Sequence, residues 1–165
     1  MLVSPTLASV IESPSVRTRA ATPTTAQAWA TRLNFSYALP QPGEVLVEVR
    51  VPVLGPGWGS AYEKFNRVAQ AWAVVGVAAL VRTEGDMIGE ARIGLTNMGP
   101  TPLRARGAEQ ALAGVSSQNG GITRAAELAA DDTEPPADLS AQPDYRQHLA
   151  RVLTGRAVHK AVAAS

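Results

Sequence analysis

The sequence predicts an α+β domain, in which a three- to four-stranded antiparallel sheet is covered by about three helices. Segments with the alternating pattern of strands come first, from residue 44 to residue 97, and segments with helical spacing follow from residue 104 onward. Strands grouped before helices are typical of an α+β fold and not of alternating βαβ units. The short turn between the last two strand segments also predicts antiparallel pairing.

Residues 1–41 differ in composition from the rest of the chain. They are rich in Ser, Thr, Ala and Pro, contain one acidic residue, Glu12, and show no sustained period. Such a composition does not bury enough apolar surface to offset chain entropy, so we expect a disordered or weakly structured arm. The arm resembles a transit peptide in composition, but Pro5, Pro14 and Pro23 interrupt any amphipathic helix and favour a solvated leader.

A strand is expected within residues 42–54, because Val45, Val47 and Val49 alternate with polar residues. The segment LGPGWGS, residues 54–60, is predicted to be a turn-rich connector. Its glycines lack the spacing of a phosphate-binding loop and Pro56 removes a backbone donor, so we interpret them as structural.

Three further strands and three helices complete the predicted domain. The strands are expected at residues 61–68, 73–82 and 87–97, with the polar turn 83–86 joining the last two. The helices are expected at residues 104–113, at residues 122–130 and from Pro143 onward. We expect one core between sheet and helices, made of Val75, Val77, Ile93, Leu95, Leu112, Leu128, Leu149 and Val152.

Composition excludes several classes of function. The net charge of +1 offers no field that would attract nucleic acid or an anionic membrane surface. The chain has no cysteine, so it can hold neither a disulfide nor a cysteine-bound iron-sulfur cluster. No run of 18 apolar residues is present, and we expect no membrane span.

No catalytic or metal-binding constellation is evident in the sequence. His148 and His159 are 11 positions apart on one predicted helix, about 16 Å along its axis, and cannot share a metal ion. The acidic stretch 129–138 lacks the glycine turn of a cation-binding loop, so we interpret it as a solvated helix end. Arg146, with Arg151 and Arg156, is expected on the solvent face of the last helix, although a docking patch is an alternative.

Four stretches together resemble a known family. They are PGEVLVEVRVP at 42–52, GSAYEKFNRVAQAWAVVGVAAL at 59–80, ARIGLTNMGPTPLRARGAEQALAG at 91–114 and DYRQHLARVLTGRAV at 144–158. Their order and spacing are similar to those of the FAD-carrying medium subunit of carbon monoxide dehydrogenase and xanthine-dehydrogenase-type molybdenum hydroxylases.

The resemblance implies a domain organisation and a set of partners. Residues 42–54 would be the last strand of a truncated FAD-binding domain, residues 55–165 the C-terminal α+β domain, and residues 1–41 an arm without a family match. The family passes electrons from a molybdenum centre through iron-sulfur clusters to FAD. The implied partners are a molybdopterin-binding large subunit and an iron-sulfur small subunit, in the cytoplasm.

The resemblance also implies a cofactor-contacting position. In relatives, the lysine of the AYEKF strand reaches toward the flavin ring, and here that residue is Lys64. Tyr62 is its neighbour on the same strand face. The alternative is that Lys64 is only a polar residue on the outer face of an edge strand. Gly-rich loops that hold FAD in the family have no counterpart in this chain, so a second hypothesis is a non-catalytic domain that docks onto partner subunits.

Overall fold

The computed structural model describes these parts of the chain: residues 17–21, 27–30, 45–50, 53–68, 71–118 and 120–165. The chain divides into two units, residues 1–54 and 55–165. Each unit has a sheet of its own, with three strands in the first and four in the second.

The first unit contains strands β1 (Arg17–Ala21), β2 (Gln27–Ala30) and β3 (Val45–Arg50), paired antiparallel in the order β2-β1-β3. The strand expected within residues 42–54 is therefore present as β3. Strands β1 and β2 lie within residues 1–41, for which a disordered or weakly structured arm is predicted, and that prediction remains a prediction. The rest of that predicted arm lies outside the described residues.

The second unit contains strands β4 (Trp58–Phe65), β5 (Val75–Glu84), β6 (Met87–Thr96) and β7 (Leu103–Arg104), in the order β4-β5-β6-β7. All neighbours are antiparallel, which confirms the predicted sheet. The turn between β5 and β6 contains Gly85 at φ 61°, a left-handed conformation that glycine adopts without steric cost. The predicted connector at residues 54–60 is shorter than expected, because β4 already begins at Trp58.

Helices cover one face of this second sheet. They are α1 (Arg106–Leu112), α2 (Gly121–Ala126) with a 3₁₀ continuation (Glu127–Ala130), and α3 (Pro143–Ala163). The long helix α3 packs against β4 and β5, whereas α1 packs against β6. None of the helices in the part of the chain that the structure describes is long and apolar enough to cross a membrane.

The core between sheet and helices agrees with most of the predicted positions. Six of the eight predicted residues are buried: Val75, Val77, Ile93, Leu95, Leu112 and Leu149. Leu128 is 38% exposed and Val152 only partly buried, so these two predictions were wrong. Because the helix tightens to 3₁₀ geometry at Glu127, the angle per residue increases and places Ala129 and Ala130 in the core instead of Leu128.

Arg146 does not lie on the solvent face, and that prediction was also wrong. Its exposed fraction is 1%, whereas Arg156, further along the same helix, is exposed as expected. The guanidinium of Arg146 donates hydrogen bonds to the backbone carbonyl of Val74 and to Oδ2 of Asp138, the latter at 2.6 Å. The spacing of residues along the helix could not reveal these partners, since Val74 lies 72 positions before Arg146 in the sequence.

Candidate functional site

The outer face of the four-stranded sheet, opposite the helices, carries both candidate residues. Tyr62 is 57% exposed and Lys64 is exposed. Their neighbours in β4 face the other way: Ala61 packs against the core, and the carboxylate of Glu63 accepts a hydrogen bond from Lys160 of α3. Because side chains alternate along a strand, Tyr62 and Lys64 project together from the face opposite α1 and α3.

Residues paired across the sheet define the surroundings of these two side chains. Lys64 is opposite Gly76, which is opposite Thr96. In the adjacent row, Tyr62 is opposite Ala78, which is opposite Gly94. Directly opposite residues share a face of the sheet. The surface beside Tyr62 and Lys64 is therefore a floor of small residues, which we call the outer floor: Gly76, Ala78 and Gly94.

The space above the outer floor is filled by side chains at Gly76 and is empty at Gly94. A Cβ placed on Gly76 would lie 2.5 Å from the hydroxyl oxygen of Tyr62 and 2.8 Å from that of Thr96, so both hydroxyls converge above Gly76. A Cβ placed on Gly94 would meet nothing within 4 Å. A strand glycine with open space above it is a typical position for close approach by a ligand or another backbone.

Arginines on the outer face have carboxylate partners. The guanidinium of Arg104 contacts the Glu109 carboxylate at 2.6 and 2.8 Å. Arg82 and Arg92, on β5 and β6, form ion pairs of the same kind with glutamates two positions away, at 3.1 and 2.5 Å. Within the described ranges, the ammonium group of Lys64 has no such carboxylate partner. As far as the described residues show, Lys64 therefore places a positive charge without a carboxylate partner beside the outer floor.

The histidines, the acidic stretch and the connector glycines do not form a functional site among the described residues. His148 and His159 are both exposed, and among the described residues no group of three or more potential ligands is placed to hold a metal ion. In the acidic stretch, Asp138 is bound to Arg146. The glycines of the connector shape the backbone, since Gly57 has a φ of 76° and Gly59 lies against α3.

Gly76, Gly94 and Thr96 were not among the candidate residues predicted from the sequence. Isolated glycines inside predicted strands are a signal that could have identified two of them, because glycine weakens a strand unless something approaches closely. Together with Tyr62 and Lys64 they form a surface that is open above Gly94 and carries the ammonium group of Lys64, which has no carboxylate partner among the described residues. Such a surface fits one side of a planar, electron-accepting ring, although it offers no cradle for phosphate groups.

Comparison with known proteins identifies one family. Residues 60–161 match the model of the CO dehydrogenase flavoprotein C-terminal domain. The chain is 36% identical, over 129 residues, to the carbon monoxide dehydrogenase medium chain of Hydrogenophaga pseudoflava; the match covers 78% of this chain and 45% of that protein. It is also 29% identical to a xanthine dehydrogenase FAD-binding subunit of Escherichia coli, over 65% of this chain and 37% of that one.

A solved structure of carbon monoxide dehydrogenase from Hydrogenophaga pseudoflava, a form lacking the Mo-pyranopterin moiety of the molybdenum cofactor, is similar in fold. The TM-score is 0.80 at 33% identity, and the match covers 91% of this chain and 53% of that one. The chain spans about half the length of the relatives it matches.

Proposed function

The chain belongs to the family of the CO dehydrogenase flavoprotein C-terminal domain, and on that premise we propose that it is part of the FAD subunit of a molybdenum hydroxylase. In this proposal it works in an oxidoreductase complex of the carbon monoxide, xanthine or aldehyde dehydrogenase kind. Electrons pass from a molybdenum centre on a large subunit, through iron-sulfur clusters on a small subunit, to FAD. The absence of cysteine agrees with clusters that are carried by another chain. A cytoplasmic location is part of the same proposal.

The observation that carries the proposal is the exposed position of Lys64 beside the outer floor, next to the open space above Gly94. FAD, when bound, supplies the electron-accepting ring. Lys64 would place its ammonium group at the edge of that ring, where a fixed positive charge stabilises the negative charge that develops on reduction. Tyr62 would border the same surface with its ring and hydroxyl, and the open space above Gly94 leaves room for a flat ligand.

This surface cannot hold FAD without further contacts. A single exposed charge pair contributes about 0 to 1 kcal/mol, whereas a micromolar ligand requires about 8 kcal/mol. The phosphates and the adenosine therefore need binding groups from a flavin-binding half of the kind that the relatives' greater length allows. We expect this chain to contribute one wall of a shared site.

The test begins with the visible absorbance of the purified chain. We expect no stoichiometric flavin, and we expect FAD to bind when the matching N-terminal flavin half is added. FAD titration with and without that half, followed by flavin fluorescence, measures the difference. A lone chain that purifies yellow, with one FAD per monomer, would contradict the shared-site proposal.

The role of Lys64 is tested in the assembled protein. We expect Lys64→Ala to lower the midpoint potential of the flavin, because the developing negative charge loses its cation. The shift should be on the order of tens of millivolts, since about 30 mV corresponds to about 1.4 kcal/mol for a two-electron couple. Lys64→Arg, which keeps the charge, and Lys160→Ala, on the helix side of the sheet, are the controls and should change the potential much less.

A second candidate function is a non-catalytic domain that docks onto partner subunits. It is favoured by the outer floor, which offers no cradle for phosphate groups among the described residues. Both candidates have the same fold and differ in the cofactor. Pull-down of large and small subunits, without any flavin binding in the presence of the N-terminal half, would favour this docking role.

A further inference from the structure

Arg146 is a buried charge in the first turns of α3. A guanidinium stays protonated at every pH that a protein tolerates, so burial at 1% exposure has a large desolvation cost that only good partners offset. Its partners are the carboxylate of Asp138 and the carbonyl of Val74. Its Nε has no hydrogen-bond partner in the described part of the chain. Only the arginine of this pair is buried, since the side chain of Asp138 is 48% exposed. A part-exposed ion pair is weak evidence for stability as such, so the position of Arg146 requires another explanation.

The partners of Arg146 lie at the base of the connection between β4 and β5. Val74 is the last residue of that connection, and its N–H donates to the carbonyl of Phe65 at 2.7 Å. Phe65 is the last residue of β4 and follows Lys64 directly. The ring of Tyr145 meets the ring of Phe65 edge-on, with centroids 6.1 Å apart. Two consecutive residues of α3, Tyr145 and Arg146, therefore hold the two ends of this connection.

Besides the two contacts from α3, the side-chain amide of Asn97 donates to the carbonyl of Ala73 and also holds this corner. In the sheet, β4 pairs with β5 alone, and the ladder between them ends at the pair Phe65 and Val75. The ends of ladders open most easily, unless packing or hydrogen bonds hold them. Lys64 is one position from this end. If the contacts of Phe65 or Val74 are lost, the backbone of Lys64 is therefore the next to shift.

We propose that Arg146 is a positioning residue for the flavin-facing strand. It holds the end of β4, through Val74 and Phe65, so that Lys64 and Tyr62 keep their orientation on the outer face. Arg146 acts through the backbone and does not itself contact the flavin. This inference rests on the proposed function of Lys64.

The first measurement is amide hydrogen exchange in the full chain. Arg146→Lys keeps the charge but loses the two-pronged geometry, and we expect the Val74 amide to exchange about tenfold faster, because hydrogen bonds to charged groups are the stronger ones. Arg151→Lys, on the same helix with a more exposed side chain, is the matched control and should leave Val74 unchanged. Asp138→Asn retains the arginine and serves as a second variant if Arg146→Lys does not fold. Unchanged protection of Val74 in both variants overturns the inference.

The second measurement is the flavin potential of the chain assembled with its N-terminal half. We expect Arg146→Lys to shift the potential in the same direction as Lys64→Ala, and to add nothing when the two substitutions are combined. If Lys64→Ala shifts the potential and Arg146→Lys does not, while Val74 loses protection, the positioning role is overturned and the proposed function stands. If Lys64→Ala itself has no effect, the proposed function fails, and the positioning role toward the flavin fails with it.

Discussion

The backbone of Gly59 lies directly against the carbonyl of Ala161: a Cβ placed on this glycine would be 1.8 Å from that oxygen. The C-terminal end of α3 can therefore approach β4 only because residue 59 has no side chain. Gly59→Ala should lower the free energy of unfolding by about 1 to 3 kcal/mol, the usual cost of overpacking. Denaturant unfolding measures it. Gly55→Ala, where a Cβ meets nothing within 4 Å, is the control and should change stability by less than about 0.5 kcal/mol.

Two leucines that were both predicted to lie in the core differ in their burial. Leu149 is 7% exposed, whereas Leu128 is 38% exposed. Leu149→Ala should cost about 2 to 5 kcal/mol of unfolding free energy, because it leaves a cavity between α3 and the sheet. Leu128→Ala, which removes the same atoms from a more solvated place, should cost clearly less. Equal losses measured by thermal or denaturant unfolding would show that the 3₁₀ segment is oriented differently.

Acid should weaken the attachment between Asp138 and Arg146. Backbone N–H groups of Ala141 and Ser140, together with the Arg146 guanidinium, lower the pKa of Asp138 from its ordinary value of 3.8. A carboxyl group with a lowered pKa stabilises the folded state above its unfolded value, and this contribution is lost as the pH falls through the folded value. Below pH 3.8, the free energy of unfolding should therefore fall less steeply with decreasing pH in Asp138→Asn than in the unmodified chain. Parallel curves from denaturant unfolding across this range would contradict the assignment.

The open space above Gly94 provides a test of where a flavin would lie. Gly94→Val places a side chain on the outer floor at a position where a Cβ meets nothing within 4 Å, and valine is favoured in strands. We expect the free energy of unfolding to stay within about 0.5 kcal/mol of its original value. FAD affinity of the chain assembled with its N-terminal half should fall by about tenfold or more, which titration measures, because the isopropyl group of valine is larger than the single methylene that already has that effect in a fitted site. Unchanged affinity would place the ring elsewhere.

Local patterns predicted the elements of this fold well, and long-range contacts account for what they missed. The β5–β6 hairpin and the start of α3 at Pro143 follow from alternation, a short polar turn and a proline in the first helical turn, all of which act within a few residues. The burial of Arg146 depends on Val74 and Asp138, which no periodic pattern connects to it. The outer floor depends on cross-strand register. The sequence alone could not show that Gly94 lies in one row with Tyr62 and Ala78.

The alternation of charge along β4 has a consequence for how this strand can pair. Glu63 and Lys64 occupy opposite faces, and the bond from Lys160 to Glu63 holds the acid on the helix side. A slip of one residue against β5 would exchange the two faces. It would bring Lys64 close to Lys160, where like charges repel, and would expose a carboxylate on the outer floor. The Glu63–Lys160 pair thus selects against the slipped register, and it ties the sign of the charge on the outer face to correct strand alignment during folding.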